Sequence, residues 1–159
     1  MSNTARGGIF GVLSQFFKEE RTAVIRPPYV VSDATFNECK TCTALCKNVC
    51  EEKIIRMDSQ GIPFLDFSVN GCSDCKKCLE ACTPNVLNDP QRFIQSKAHI
   101  STMSCMSHHD TICFSCKEPC LEDAIVFEGM FRPIIMPNKC TGCGYCVAVC
   151  PSAAIAMSA

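Results

Sequence analysis

Apolar residues recur along this chain in short bursts, and the bursts follow two rhythms. Near the start, Ile9, Phe10, Leu13, Phe16 and Phe17 fall at helical spacing, and Lys18, Glu19, Glu20 and Arg21 close the segment. That pattern predicts a short amphipathic helix, whose apolar face either folds onto the body or docks a partner. Arg26-Pro27-Pro28-Tyr29 follows as a stiff extended linker, with the tyrosine in a packing role. Further on the rhythm is that of paired strands. Ile54, Ile55, Arg56 and Met57, a turn-like Asp58-Ser59-Gln60-Gly61, then Pro63, Phe64, Leu65 and Phe67 predict a hairpin. Ala124, Ile125, Val126 and Phe127, the turn Glu128-Gly129, and Pro133, Ile134, Ile135 and Met136 predict a second. Residues 86–104, between them, lack the hairpin pattern. A breaker at Asn88-Asp89-Pro90 precedes a short helix or strand from Phe93 to Ile100. The tail, Ala153 to Met157, predicts a last short helix or edge strand.

The gaps between these bursts are filled by cysteine. The last gap reads Cys140-x2-Cys143-x2-Cys146-x3-Cys150-Pro151, the thiolate ladder that holds a [4Fe–4S] cube, its fourth cysteine serving a neighbouring cluster. Closely spaced thiolates let one tight loop wrap several corners of a cube, and Gly142 and Gly144 let backbone approach the sulfides. Cys72-x2-Cys75-x2-Cys78-x3-Cys82 repeats the spacing, with Thr83 where the proline stands in the last ladder. Two further ladders depart from it. Cys39-x2-Cys42-x3-Cys46-x3-Cys50 has one residue more between its second and third cysteines. Cys105-x7-Cys113-x2-Cys116-x3-Cys120 is stretched by an insertion carrying His108 and His109, read as solvent-facing because four thiolates are already present.

The chain has 159 residues, no Trp and 16 Cys, and the four ladders use every cysteine. Cysteine at this density suggests a disulfide scaffold in a secreted chain, but tight ladders are the wrong spacing for a framework that joins distant loops. Four-thiolate zinc sites remain the other alternative. No apolar run is long enough to span a bilayer, and the first 17 residues make a poor secretory signal, so the expectation is a cytoplasmic protein. Formal net charge is −1, and four oxidised clusters with their thiolates would bring it to about −9. Nothing basic or aromatic-interleaved points to nucleic acid. No catalytic dyad, phosphate loop or flavin fingerprint is visible; no catalytic residue is assigned and an autonomous enzyme is not expected.

Hairpin-like segments join ladders one and two, and ladders three and four, but not two and three. The chain therefore resembles two tandem copies of a bacterial two-cluster ferredoxin. The expected fold is α+β: an N-terminal helical extension over 1–35 and ferredoxin-like modules over 36–90 and 91–159. If the fourth cysteines cross over as in that family, the first cluster takes Cys39, Cys42, Cys46 and Cys82. The second takes Cys72, Cys75, Cys78 and Cys50, the third Cys105, Cys113, Cys116 and Cys150, and the fourth Cys140, Cys143, Cys146 and Cys120. Nested pairing, first ladder with fourth and second with third, is the alternative found in electron-transfer subunits of molybdenum enzymes.

Over its whole length the chain is similar to the NapF family of ferredoxin-type accessory proteins encoded with periplasmic nitrate reductases. The resemblance rests on Arg6-Gly7, Arg26-Pro27-Pro28-Tyr29, four ladders in a chain of this size and, above all, the stretched third ladder. It implies a soluble cytoplasmic protein that binds the precursor of the molybdenum catalytic subunit, NapA, and helps mature it before export. Three classes of function stay open: maturation partner, plain electron carrier or redox subunit, and a metal-stapled interaction module.

Overall fold

The strands here are short, as expected of a chain whose apolar bursts run only three to five residues. In a computed structural model, residues 24–30, 33–89 and 94–158 are described. The strands are β1 (Ile55–Met57), β2 (Pro63–Leu65), β3 (Lys97–Ile100), β4 (Ile125–Glu128), β5 (Arg132–Ile135) and β6 (Ile155–Ser158). β1 and β2 pair antiparallel with Ile55 opposite Leu65, and β4 and β5 pair with Ile125 opposite Ile135. Both hairpins lie where the alternation placed them. The first closes because the Asp58 carboxylate accepts the N–H groups of Gln60 and Ile62, each at 2.9 Å. Gly61 then supplies a left-handed φ of 77°.

The third pair joins distant residues. β3 and β6 run antiparallel with Ile100 opposite Ile155, so the tail is an edge strand and the 93–100 burst yields a strand rather than a helix. Phe93 and the predicted N-terminal helix lie outside the described residues. The β3–β6 pair brackets the β4–β5 hairpin in sequence. An antiparallel bridge between Val30 and Leu87 brackets β1–β2 in the same way.

That bridge corrects one expectation. The run Arg26-Pro27-Pro28-Tyr29 is not a linker but part of the core. Pro27, Pro28 and Tyr29 are fully buried, the Ile25 carbonyl accepts the Leu65 N–H at 2.8 Å, and the Arg26 guanidinium donates to the Pro63 carbonyl at 2.9 Å. Prolines suit this role because they have no N–H for burial to orphan. Tyr29 does pack as expected, with its hydroxyl on the Asp74 carboxylate.

One apolar cluster gathers Tyr29, Ile54, Ile55, Leu65, Phe67 and Leu87, and another gathers Ala98, Ile125 and Ile155. Cysteines take part in both: Cys78 belongs to the first, Cys116 and Cys146 to the second. Cores this small are marginal on hydrophobic burial alone. Among the described residues no helix is long and apolar enough to cross a membrane.

Candidate metal centres

Each ladder begins as an irregular loop and passes its third cysteine through a tight turn. In three ladders that turn is a single helical one: α1 (Leu45–Asn48), α2 (Lys77–Glu80) and α3 (Tyr145–Ala148), which carry Cys46, Cys78 and Cys146. The residue before each helix is left-handed: Ala44 at φ 56°, Lys76 at 62° and Gly144 at 82°. This reversal lets the chain double back, so the second and third thiols turn toward one point.

The four ladders end in one shared turn. Three residues after the fourth cysteine stands a left-handed residue, Lys53, Asn85, Asp123 or Ala153, with φ between 47° and 60°. Its N–H donates to the carbonyl of that fourth cysteine at 3.1–3.2 Å in every case. In the two C-terminal ladders the next N–H, of Ala124 and Ala154, points back at Cys120 Sγ (3.3 Å) and Cys150 Sγ (3.2 Å). In the second ladder, where Thr83 displaces the proline by one place, the donor to Cys82 Sγ is Leu87 at 3.3 Å. An amide aimed at a sulfur stabilises it as thiolate, the form that binds metal.

All sixteen cysteines are free thiols. They line four cavities, four to each. One holds Cys39, Cys42, Cys46 and Cys82, and a second holds Cys50, Cys72, Cys75 and Cys78. A third holds Cys105, Cys113, Cys116 and Cys150, and the fourth holds Cys120, Cys140, Cys143 and Cys146. In each set the fourth cysteine comes from the neighbouring ladder. Among the described residues no three Cys, His, Asp or Glu side chains converge closely enough to hold a single metal ion. A mononuclear zinc site needs its sulfurs about 2.3 Å from one point, whereas a cube holds its thiolates on separate irons at the corners of a larger body. The donor sets fit the cube.

Burial acts against the thiolate form. It pushes Cys78 and Cys146 up to about 12 and Cys39 and Cys116 up to about 11, and the neighbouring thiols of the same cavities add to the shift. Cys46 moves the same way, again chiefly through burial, against the opposing Lys47 N–H. Such thiols stay protonated until a metal displaces the proton. Cys150 is the exception: burial raises it, but the Ala154 N–H and the Ser152 hydroxyl outweigh that and bring it below an ordinary thiol.

The cavity walls also differ in polarity, which the ladder spacing did not reveal. Around the third set, Ser115 Oγ lies 3.7 Å from Cys113 Sγ, and Ser152 Oγ lies 3.7 Å from Cys150 Sγ. Around the fourth, the buried Thr141 hydroxyl has no partner among the described residues, which suits a guest rich in sulfur acceptors. The first set is walled, cysteines apart, by apolar residues such as Met57, Pro63, Val86 and Leu87. The seven residues between Cys105 and Cys113 begin with a 3₁₀ turn, Met106–His109. His109 is exposed as expected, with Nε2 3.1 Å from the Met103 carbonyl; His108 is not, being half-buried with Nε2 3.2 Å from the Pro133 carbonyl at β5. Neither lines the third cavity.

Comparison with known proteins agrees with this chemistry. The 4Fe-4S binding domain family matches residues 133–156, which contain Cys140, Cys143, Cys146 and Cys150. The chain is similar to the "Ferredoxin-type protein NapF" of Escherichia coli (strain K12), 31% identical over 136 residues that cover 82% of each chain. It is also similar to the protein of that name from Haemophilus influenzae, 32% identical over 84% of this chain and 78% of that one. A more distant likeness is the "Methylamine utilization ferredoxin-type protein MauM" of Methylobacillus flagellatus, 26% identical over 91% of this chain and 71% of that one.

Proposed function

Because this chain belongs to the NapF family of ferredoxin-type iron–sulfur proteins, we propose that it carries four [4Fe–4S] clusters in two tandem modules. We further infer that it works in the cytoplasm on the precursor of the molybdenum catalytic subunit of periplasmic nitrate reductase, before export. One observation carries the cluster assignment: sixteen thiols sort into four cavities of four, each set taking its last member from the adjacent ladder. The sorting supports the crossed, tandem pairing over the nested one. On this reading Cys39, Cys42, Cys46 and Cys82 would hold the first cluster, Cys50, Cys72, Cys75 and Cys78 the second, Cys105, Cys113, Cys116 and Cys150 the third, and Cys120, Cys140, Cys143 and Cys146 the fourth.

When bound, each cluster supplies one reversible one-electron site. The protein's own residues do the rest. Thiolates would hold the iron, Ala124, Ala154 and Leu87 donate amides to sulfur, and Ile55, Leu65, Ile125 and Ile135 give the cavities apolar walls. No other chemistry is assigned to the chain, so the reading is a carrier or maturation factor rather than an enzyme. Anaerobic purification tests the first part, with about 16 iron and 16 acid-labile sulfide expected per chain. Capture of the catalytic-subunit precursor by the loaded protein tests the second. Full iron content without capture would refute the maturation role and leave the second reading, a plain electron carrier. That reading draws support from Cys75, which is solvent-exposed at the rim of the second cavity.

A further inference from the structure

The two halves of the fold touch at a seam made by the ligand loops themselves. The Cys72 N–H donates to the Cys143 carbonyl at 2.7 Å, and these residues line different cavities, the second and the fourth. Two glycines make the approach possible. A Cβ on Gly71 would stand 2.5 Å from the Tyr145 backbone nitrogen and from its ring, and a Cβ on Gly144 would stand 2.1 Å from the Phe67 ring. Gly144 is also left-handed, at φ 82°. No other residue type fits at either place without moving the loops apart.

Polar contacts then fasten the seam. The Tyr145 hydroxyl donates to Glu52 at 3.1 Å, Asn70 donates to the same carboxylate, and the Asn70 side-chain oxygen accepts the Gly71 N–H at 3.0 Å. Val147 and Met157, from the C-terminal half, pack against the apolar cluster that contains Phe67. Within each half, ligands of neighbouring sets pack together as well: Cys46 and Cys82 lie against the cluster containing Cys78, and Cys120 and Cys150 against the one containing Cys116 and Cys146.

We propose that the seam of Gly71 and Cys72 against Cys143, Gly144 and Tyr145 is the electron contact between the two halves, joining four redox sites into one carrier in the spatial order first, second, fourth, third. The inference rests on the cluster assignment made under Proposed function. The exchange moves one electron: the second set is oxidised by one as the fourth is reduced by one, with no proton transferred and no bond made. Gly71 and Gly144 act as positioning residues, and Glu52 with Tyr145 holds the loops in register.

The test uses the full, anaerobically loaded chain, with iron and acid-labile sulfide counted first. Dithionite delivers about one electron per chain, and freeze-quench EPR follows the reduced-cluster signal as it settles among the sites. Exchange across the seam is intramolecular, so its rate is independent of protein concentration. Gly71→Ala, in protein that still carries its iron and sulfide, should remove the part of that phase that moves the electron between the halves, while exchange within each half persists. If Gly71→Ala does not load, Tyr145→Phe, which keeps the ring but loses the Glu52 contact, should diminish the same phase. Settling between the two halves that is proportional to concentration in the unmodified chain would overturn the seam while leaving the clusters in place. A phase unaffected by both variants would also overturn it. Iron and sulfide near zero would overturn the cluster assignment itself, and the seam with it.

Discussion

Replacing Cys82 with alanine removes a thiol that belongs to the second ladder in sequence but stands among Cys39, Cys42 and Cys46 in space. Replacing Cys46 removes a thiol of the first ladder from that same set. If the four share one cluster, either substitution costs one cluster, taking the loaded chain from about 16 irons to about 12. The double variant Cys46→Ala with Cys82→Ala should then also retain about 12, because a cluster already lost cannot be lost twice; such complete non-additivity is the signature of residues that act as a unit. Cys78→Ala with Cys82→Ala provides the contrast. These two cysteines lie four residues apart in one ladder but line different cavities, so their combination should fall to about 8. Iron and acid-labile sulfide on anaerobically purified protein, normalised to chain by amino-acid analysis, read the outcome directly. Retention of about 8 by the first pair, or about 12 by the second, would refute the grouping.

Phe67→Ala should destabilise the loaded protein by about 3–5 kcal/mol, since the ring is buried in the core and covers Gly144 across the seam; a loss below about 1 kcal/mol by anaerobic thermal unfolding would contradict that placement. Cluster loading should speed up as pH rises toward the alkaline range. Iron must displace protons from Cys78 and Cys146, held at about 12 by burial, and a reconstitution rate independent of pH would count against it. The metal-free fold should respond in the opposite sense. Thiols raised on folding contribute stability below their unfolded value and lose it as pH climbs through the folded one, a loss circular dichroism would follow. Ser115→Ala and Ser152→Ala should each lower the midpoint potential of the third site, because a hydroxyl donating to a thiolate favours the reduced, more negative cluster; unchanged potentials would show these serines to be structural only.

Most of the architecture was legible in the sequence because cysteine spacing and strand alternation are local signals. Ile55 opposite Leu65 and Ile125 opposite Ile135 follow from two-residue periodicity and a Gly-containing turn. What could not be read depends on partners distant in sequence. The burial of Pro27, Pro28 and Tyr29 follows from pairing at Leu87 and Leu65, and a Pro-Pro pair looks the same in a linker as in a core. His108 turned inward because its ring meets the Pro133 carbonyl, a contact no insertion length announces. Ser115 and Ser152 each sit two residues beyond a cysteine, a weak signal visible only once serine is considered as a donor to sulfur. Of the two seam glycines, the ladder pattern singles out Gly144, for close approach to the sulfides, and nothing in it singles out Gly71.

The shared exit turn was also hard to see in the sequence, because only Asn85 and Asp123 of its four left-handed residues are types that favour that conformation, while Lys53 and Ala153 are not. None is glycine, and a left-handed backbone costs an ordinary L-residue about 1–2 kcal/mol. In a chain newly released from the ribosome, before any iron has arrived, one backbone hydrogen bond at each turn offsets that cost, and no cluster yet adds to it at Lys53 and Ala153, where it is greatest. Those are the points at which quality-control proteases would gain entry, so the half-life of the young polypeptide should shorten when iron–sulfur supply is cut. Pulse-chase labelling under iron restriction would reveal it, and survival unaffected by iron would show the turns to be stable without their cargo.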